Sequence, residues 1–128
     1  MSVPSRTALV LRAALWILRV EYGRRRVPFG DLVEWLERVP VRGGRSVGAK
    51  SVLAAVRRAY SLSPFRRTCL KESLAGVGLL RALGYRARLV VGVKGATTPV
   101  YAHAWIEIDG KPLDRAVASY VPLRRVRS

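Results

Sequence analysis

The sequence contains a single cysteine, Cys69, and a single histidine, His103. One cysteine excludes an internal disulfide framework and is typical of a protein kept in a reducing compartment, so we expect a cytoplasmic location. One cysteine and one histidine are also too few soft ligands for a structural zinc site. These two residues are therefore candidates for a role in catalysis.

Acidic residues are scarce as well: the chain has 8 Asp and Glu against 24 Lys and Arg, and its formal net charge is +16. Such an excess is compatible with a merely well-solvated surface, or it points to an acidic partner: a nucleic acid, an acidic peptide or an acidic protein. Nucleic-acid binders commonly cluster basic residues with exposed aromatic residues. Here the arginines are spread along the chain in short runs, which weighs against nucleic acid.

The sequence also lacks a long uninterrupted apolar run. Residues 8–20 are mostly apolar, but Arg12 and Arg19 interrupt them. The segment is too short and too charged for a membrane span, and no convincing small-residue cleavage site of a signal peptide follows it. It predicts instead an amphipathic helix, with Leu11, Leu15 and Leu18 available to a core.

A length of 128 residues, half of them hydrophobic, predicts one domain with a sizeable core. The periodicity divides it into a helical N-terminal part, residues 1–45, and a mixed part, residues 46–123. Asp31 is a fair N-cap for the second helix. The predicted helices cover residues 5–21, 31–38, 46–60 and 69–83, and the predicted strands cover 85–93, 100–108, 111–116 and 119–123.

The helix that begins at Cys69 carries apolar residues on nearly every side, which is typical of a helix in the centre of a protein. Ser73 and Gly76 follow Cys69 on the same face, and their small size lets another layer approach closely. Gly84 is a good residue to end the helix. At the start of the helix, the dipole and the free backbone N–H groups favour a thiolate on Cys69 and could hold an oxyanion.

The dipeptide Asp109-Gly110 predicts a two-residue type I′ hairpin turn between two strands. If the residues on either side of the turn pair and the register continues, His103, Trp105 and Asp114 share one face of the sheet. Asp114 is then a diagonal neighbour of His103, at a backbone separation of roughly 7–8 Å. We expect Asp114 to orient the imidazole and His103 to activate the Cys69 thiol, if the hairpin and the helix meet in space.

Several segments together resemble a known family, the transglutaminase-like cysteine peptidases of lasso-peptide biosynthesis in their small stand-alone form. The resemblance covers about residues 46–123. The segments that carry it are residues 69–74 (CLKESL), 80–87 (LRALGYRA), 92–93 (GV), 103–110 (HAWIEIDG) and 113–114 (LD).

The resemblance implies a papain/transglutaminase-like α+β fold, with N-terminal helices and a central Cys-bearing helix packed on a small antiparallel sheet. It implies that Cys69 attacks the bond between the leader and the core of a precursor peptide. His103 would act as base and then as acid, and Asp114 would orient it. No cofactor or metal is implied.

The resemblance also implies partners. A separate recognition protein would capture the leader of the precursor peptide and deliver it to the peptidase. An ATP-dependent cyclase would use the freed N-terminus of the core peptide to close the macrolactam ring.

Two other functions stay open at the level of sequence. The same three residues would serve a transglutaminase-like acyltransferase or deamidase, in which another nucleophile resolves the thioester. The charge of +16 would also suit a non-catalytic basic module that binds nucleic acid or an acidic protein.

Overall fold

Four helices precede four strands in the computed structural model, which describes residues 5–94, 101–113 and 121–125. This order confirms the predicted α+β class. The elements are α1 (Arg6–Arg26), α2 (Phe29–Glu37), α3 (Ala49–Leu62), α4 (Cys69–Ala82), β1 (Ala87–Lys94), β2 (Tyr101–Ile108), β3 (Lys111–Pro112) and β4 (Val121–Arg125).

The N-cap predicted for α2 is wrong. Pro28 occupies the N-cap position, the helix begins at Phe29, and Asp31 lies inside the first turn. A proline at the boundary is tolerated because the first N–H groups of a helix have no intrahelical acceptor in any case. Asp31 still lies at a favourable place, because a carboxylate in the first turn interacts well with the helix dipole.

The strands form one antiparallel sheet in the order β3-β2-β1-β4. The hairpin between β2 and β3 has the predicted register, with Ile108 opposite Lys111. Asp109 and Gly110 both have positive φ, of 53° and 81°, as a type I′ turn requires. The backbone N–H of Leu113 donates to the carbonyl of Ile106 at 2.9 Å, which continues the pairing by one more residue.

Helix α4 lies at the centre of the molecule, packed against α1, α2 and α3 on one side and against β1 and β2 on the other. Residues 72–80 are all buried. The predicted close approach of a second layer is present: a Cβ on Gly76 would lie 2.6 Å from Cδ1 of Ile106 on β2. Gly78 allows the ring of Trp16 from α1 to approach in the same way, because a Cβ on Gly78 would lie 2.5 Å from the nearest ring carbon.

The C-terminal end of α4 is fixed by a Schellman motif. Gly84 has φ of +102°. Its N–H donates to the carbonyl of Arg81 at 3.2 Å, and the N–H of Tyr85 donates to the carbonyl of Leu80 at 3.0 Å. These two bonds satisfy carbonyls that a helix end otherwise leaves unpaired.

The core face of α1 is not the one that the sequence predicted. Leu11, Leu15 and Leu18 are 62%, 54% and 52% exposed. The buried face carries Leu9, Ala13, Trp16, Ile17 and Val20. The helix has apolar residues on two opposite sides, and only packing against α3 and α4 decides which of them enters the core.

No helix in the described part of the chain combines the length and the apolar character that a membrane crossing needs.

Candidate active site

Cys69 is the first residue of α4 and is exposed, although the helix that follows it is buried. Thr68 is the N-cap: its hydroxyl accepts the backbone N–H of Lys71 at 3.2 Å, and its carbonyl accepts that of Glu72 at 2.9 Å. These acceptors leave the N–H groups of Cys69 and Leu70 directed outward from the helix start. The thiol therefore lies beside backbone donors at the positive end of the helix dipole.

Three contacts fix the start of α4 to three different elements. The ammonium of Lys71 pairs with Glu21 of α1 at 2.5 Å, and the carboxylate of Glu72 pairs with Arg57 of α3 at 2.6 Å. The hydroxyl of Ser73 donates to the carbonyl of Ala104 on β2 at 3.4 Å. The three residues at positions 71–73 thus bind the Cys69 turn to α1, to α3 and to the strand that carries His103.

The pairing of Glu21 is strong enough to change its titration. Burial by itself would raise the pKa of this carboxyl, because it disfavours the charged form. The hydrogen bonds and charges of Lys71 and Arg24 outweigh the burial, so the pKa of Glu21 is lowered. Glu21 is therefore ionised at neutral pH and keeps Lys71 in place.

His103 lies on β2 opposite Gly92 of β1. Its imidazole stacks near the indole of Trp105, with ring centroids 6.2 Å apart and planes inclined by 23°. Trp105 is 5% exposed. The indole thus covers one side of the imidazole environment, in agreement with the predicted sharing of a face by these two residues.

Cys69 and His103 line the same cavity, whose volume is about 270 Å³. Four consecutive residues of β2 contribute to it, and consecutive residues of a strand point to opposite faces of the sheet. The cavity therefore lies along residues 103–106 of β2, next to the end of the described pairing between β2 and β3. Its lining consists of Leu53, Arg57, Arg67, Thr68, Cys69, Glu72, Ser73, His103, Ala104, Trp105, Ile106 and Leu113.

A second, shallower cavity of about 340 Å³ also contains both Cys69 and His103. Its other lining residues are Phe29, Leu70, Val91 and Ala104, so its wall is almost wholly apolar. The thiol and the imidazole thus border two cavities: the first, the polar cavity, has charged and polar side chains in its wall, and the second is apolar. An extended peptide could pass the thiol with different side chains in each.

Asp114 lies outside the described residues, so its placement beside His103 stays a prediction. The hairpin register on which that prediction depends is observed as far as Leu113. Leu113 itself lines the cavity.

The wall of the polar cavity contains a charged cluster that the sequence did not predict. Glu72 is buried and accepts from two guanidinium groups, Nε of Arg57 at 2.6 Å and Nη1 of Arg67 at 3.0 Å. Both arginines stay about half exposed. The one available signal was the position of Glu72 three residues after Cys69, which places both on one side of the helix.

Within the described residues, no group of three or more His, Cys, Asp or Glu side chains is arranged to hold a metal ion.

Comparison with known proteins gives a partial match to a curated protein. Over 57 residues the chain is 35% identical to the microcin J25-processing protein McjB of Escherichia coli. The aligned region is 44% of this chain and 26% of that protein, so the match spans about a quarter of the relative. No solved structure matches the chain.

The sequence model of the transglutaminase-like superfamily matches residues 8–127, which is nearly the whole chain. The match includes both the helical N-terminal part and the segments that suggested this fold in the sequence. The N-terminal helices, the central cysteine helix and the antiparallel sheet agree with it. On this match the chain belongs to the transglutaminase-like superfamily.

Proposed function

We propose that this protein is a cysteine peptidase that removes the leader from a lasso-peptide precursor. One observation carries the proposal: the exposed thiol of Cys69, at the start of a buried helix, and the imidazole of His103 line one cavity. The similarity to a protein that processes microcin J25, a lasso peptide, supports this substrate class. We treat residues 1–128 as one peptidase domain, with 1–45 as its helical part and 46–123 as its catalytic core.

In the first half of the proposed reaction, His103 takes the thiol proton and Sγ of Cys69 attacks the carbonyl carbon that joins leader to core. The N–H groups at the start of α4 stabilise the oxyanion that forms. The carbon–nitrogen bond then breaks, and His103 gives its proton to the leaving amine of the core peptide. The leader remains on Cys69 as a thioester.

In the second half, His103 takes a proton from water, whose oxygen attacks the thioester carbon. The carbon–sulfur bond breaks, the leader leaves as a carboxylic acid, and the proton restores the thiol of Cys69. We assign Asp114 the role of orienting His103 and stabilising its charged form during both steps.

The proposed partners follow from the substrate. A separate recognition protein would position the leader in the cavity, because correct positioning supplies much of the rate of such a reaction. A peptidase that lacks this help should be slow. The freed core amine would then be available to an ATP-dependent cyclase.

The test is a cleavage assay with the purified protein, the recognition protein and the precursor peptide, followed by mass spectrometry. Running it in H₂¹⁸O separates hydrolysis from acyl transfer, because hydrolysis adds one heavy oxygen to the new carboxyl of the leader. A parallel reaction with an added primary amine detects transferase activity. We expect cleavage between leader and core, with ¹⁸O in the leader product.

Variants identify the roles of the residues. We expect Cys69→Ala and His103→Ala to abolish cleavage and Asp114→Asn to slow it. Asp31→Asn, an exposed carboxylate on α2, is the matched control and should cleave like the wild type. Intact precursor after incubation with wild type and recognition protein would refute the peptidase proposal. An amine adduct in place of the acid would turn it into an acyltransferase.

A further inference from the structure

Helix α1 carries a second apolar face that the fold leaves uncovered. Leu11, Leu15, Leu18 and Tyr22 are between 52% and 62% exposed. At about 100° per residue, these four positions fall within roughly 60° of one another around the helix. Leu9, Ala13 and Val20 of the core face lie on the opposite side. We call the four exposed residues the outer stripe.

The outer stripe has the spacing of a coiled-coil seam. Successive members are separated by four, three and four residues, which is the alternation of a and d positions in a heptad repeat. Such a seam is narrow and fits one neighbouring helix. A solvated helix face does not need large apolar side chains at this spacing, and scattered exposed leucines would not show it.

Arg12, Arg19 and Arg26 form a row along one border of the outer stripe. They occupy the same heptad position, next to the seam, where charges select the partner in paired helices. Two of them are held by ring stacking: the guanidinium of Arg19 lies 4.4 Å from the ring centre of Trp16, and that of Arg26 lies 4.8 Å from that of Tyr22.

None of these three arginines has a carboxylate partner among the ion pairs of the described residues. The row is therefore a set of positive charges beside an apolar seam, and rings already hold two of its three side chains. Binding an acidic partner would require little further ordering of at least the two stacked side chains.

We propose that the outer stripe is the docking surface for an amphipathic helix of another protein, with apolar residues at its seam and acidic residues facing the arginine row. We choose an acidic partner because of charge complementarity: the arginine row is basic, and so is the chain as a whole, with a net charge of +16. The docking surface is independent of the proposed peptidase activity.

A second copy of this chain fits the surface poorly. In an antiparallel pair of α1 helices the arginine row would face itself. In a parallel pair it would face positions 7, 14 and 21, where Thr7 and Ala14 are neutral and Glu21 is buried in its pairing with Lys71. Neither arrangement supplies the negative charges that the row needs.

A membrane surface also fits less well. Helices that lie in a lipid interface have a broad apolar face, and their basic residues lie on the opposite, polar face. On α1 the outer stripe is narrow, the arginine row borders it on one side, and the opposite side of the helix is the protein core.

The test uses two designed peptides of several heptads, both with leucine at a and d. One has glutamate and the other lysine at the positions that flank the seam. Fluorescence anisotropy at physiological salt measures their binding to the purified full chain. We expect saturable binding of the acidic peptide and binding at least tenfold weaker for the basic peptide.

Variants separate the stripe from general charge attraction. The double variant Leu15→Ser/Leu18→Ser should lose at least tenfold in affinity for the acidic peptide. Leu62→Ser, which changes a leucine 66% exposed on α3, is the matched control and should bind like the wild type. The variant Arg12→Glu/Arg19→Glu should reverse the preference between the two peptides. Circular dichroism confirms that each variant is folded.

Four results would overturn the proposal. The first is equal binding of the acidic and basic peptides, and the second is no binding of either. The third is binding to vesicles of phosphatidylcholine and phosphatidylglycerol that depends on Leu15 and Leu18, which would assign the surface to a membrane. The fourth is a dimer in light scattering that the same double variant dissolves, which would assign it to a second copy.

Discussion

Replacing Gly84 by alanine should destabilise the protein through one identifiable backbone contact. A Cβ at this position would lie 2.6 Å from the carbonyl oxygen of Gly43 and 3.0 Å from the backbone nitrogen of Arg45. Neither atom can move without moving the loop that joins α2 to α3. Gly110 is the matched control, because its φ is also positive, at +81°, and apart from its two chain neighbours no residue has a heavy atom within 4 Å of a Cβ placed there.

The expected magnitudes follow from these two environments. Placing alanine in a left-handed backbone conformation destabilises the folded state by about 1–2 kcal/mol. Alanine also restricts the unfolded chain more than glycine does, which stabilises the protein by about 0.4–1 kcal/mol. Gly110→Ala should therefore cost roughly 1 kcal/mol or less. Gly84→Ala adds displacement of a loop held by hydrogen bonds from Nε of Arg45 to the Gly84 carbonyl, at 3.1 Å, and from the hydroxyl of Tyr85 to the Val47 carbonyl, at 2.7 Å.

Each of these bonds contributes about 1 kcal/mol, so we expect Gly84→Ala to cost about 3 kcal/mol. Urea unfolding followed by circular dichroism measures both variants, and an unchanged dependence on urea confirms that stability alone has changed. Equal losses in the two variants, within about 0.5 kcal/mol, would refute the reasoning, because strain at positive φ would then account for everything. A loss at Gly110 larger than at Gly84 would refute it as well.

Three further predictions concern buried groups. Glu21→Gln should lower the free energy of unfolding at neutral pH by about 2–4 kcal/mol, because it leaves the ammonium of Lys71 without its buried partner. Since the pKa of Glu21 is lowered in the folded state, its contribution to stability is present above the ordinary carboxyl pKa and is lost as pH falls. Urea unfolding at several pH values should show that the difference in stability between variant and wild type shrinks in acid. A constant difference would contradict this. The effect of Glu37 on stability is opposite to that of Glu21, because burial raises the pKa of Glu37 and its charged form therefore opposes folding. Glu37→Gln should raise the free energy of unfolding at neutral pH, and this gain should disappear as pH falls through the raised pKa. A lower free energy of unfolding at neutral pH would contradict the prediction. Gly78→Ala should lower the melting temperature in calorimetry, because the clash with the buried ring of Trp16 costs about 1–3 kcal/mol against about 1 kcal/mol gained in helix propensity; an increase would show that the ring can move away.

The Cys69 helix and the hairpin were predictable because their signals are local. Apolar residues on all sides of residues 69–83 could be satisfied only by a central helix, and Gly84 supplies the positive φ that ends it. The Asp109-Gly110 dipeptide determines its own turn geometry, and the turn sets the register of the strands beside it. Each of these features depends on residues that are neighbours in the chain.

The orientation of α1 was not predictable in the same way. Its two apolar faces have the same helical spacing, so periodicity ranks them equally. The face with Trp16 enters the core because the ring fits against Gly78 on α4. That fit involves residues far apart in the chain, and no local pattern reports it.

The candidate site combines both kinds of information. The residue types alone, one cysteine at a helix start and one histidine in a hairpin, determined the nucleophile and the base that we propose. Only the tertiary structure decided that Cys69 and His103 line one cavity and that Glu72 pairs with Arg57 and Arg67 in the wall of that cavity. The same is true of the contacts by which Lys71 and Ser73 bind the cysteine turn to α1 and β2. The physical reason is range: turns, caps and helix burial follow from neighbours in sequence, whereas ion pairs and cavities depend on which distant faces pack together.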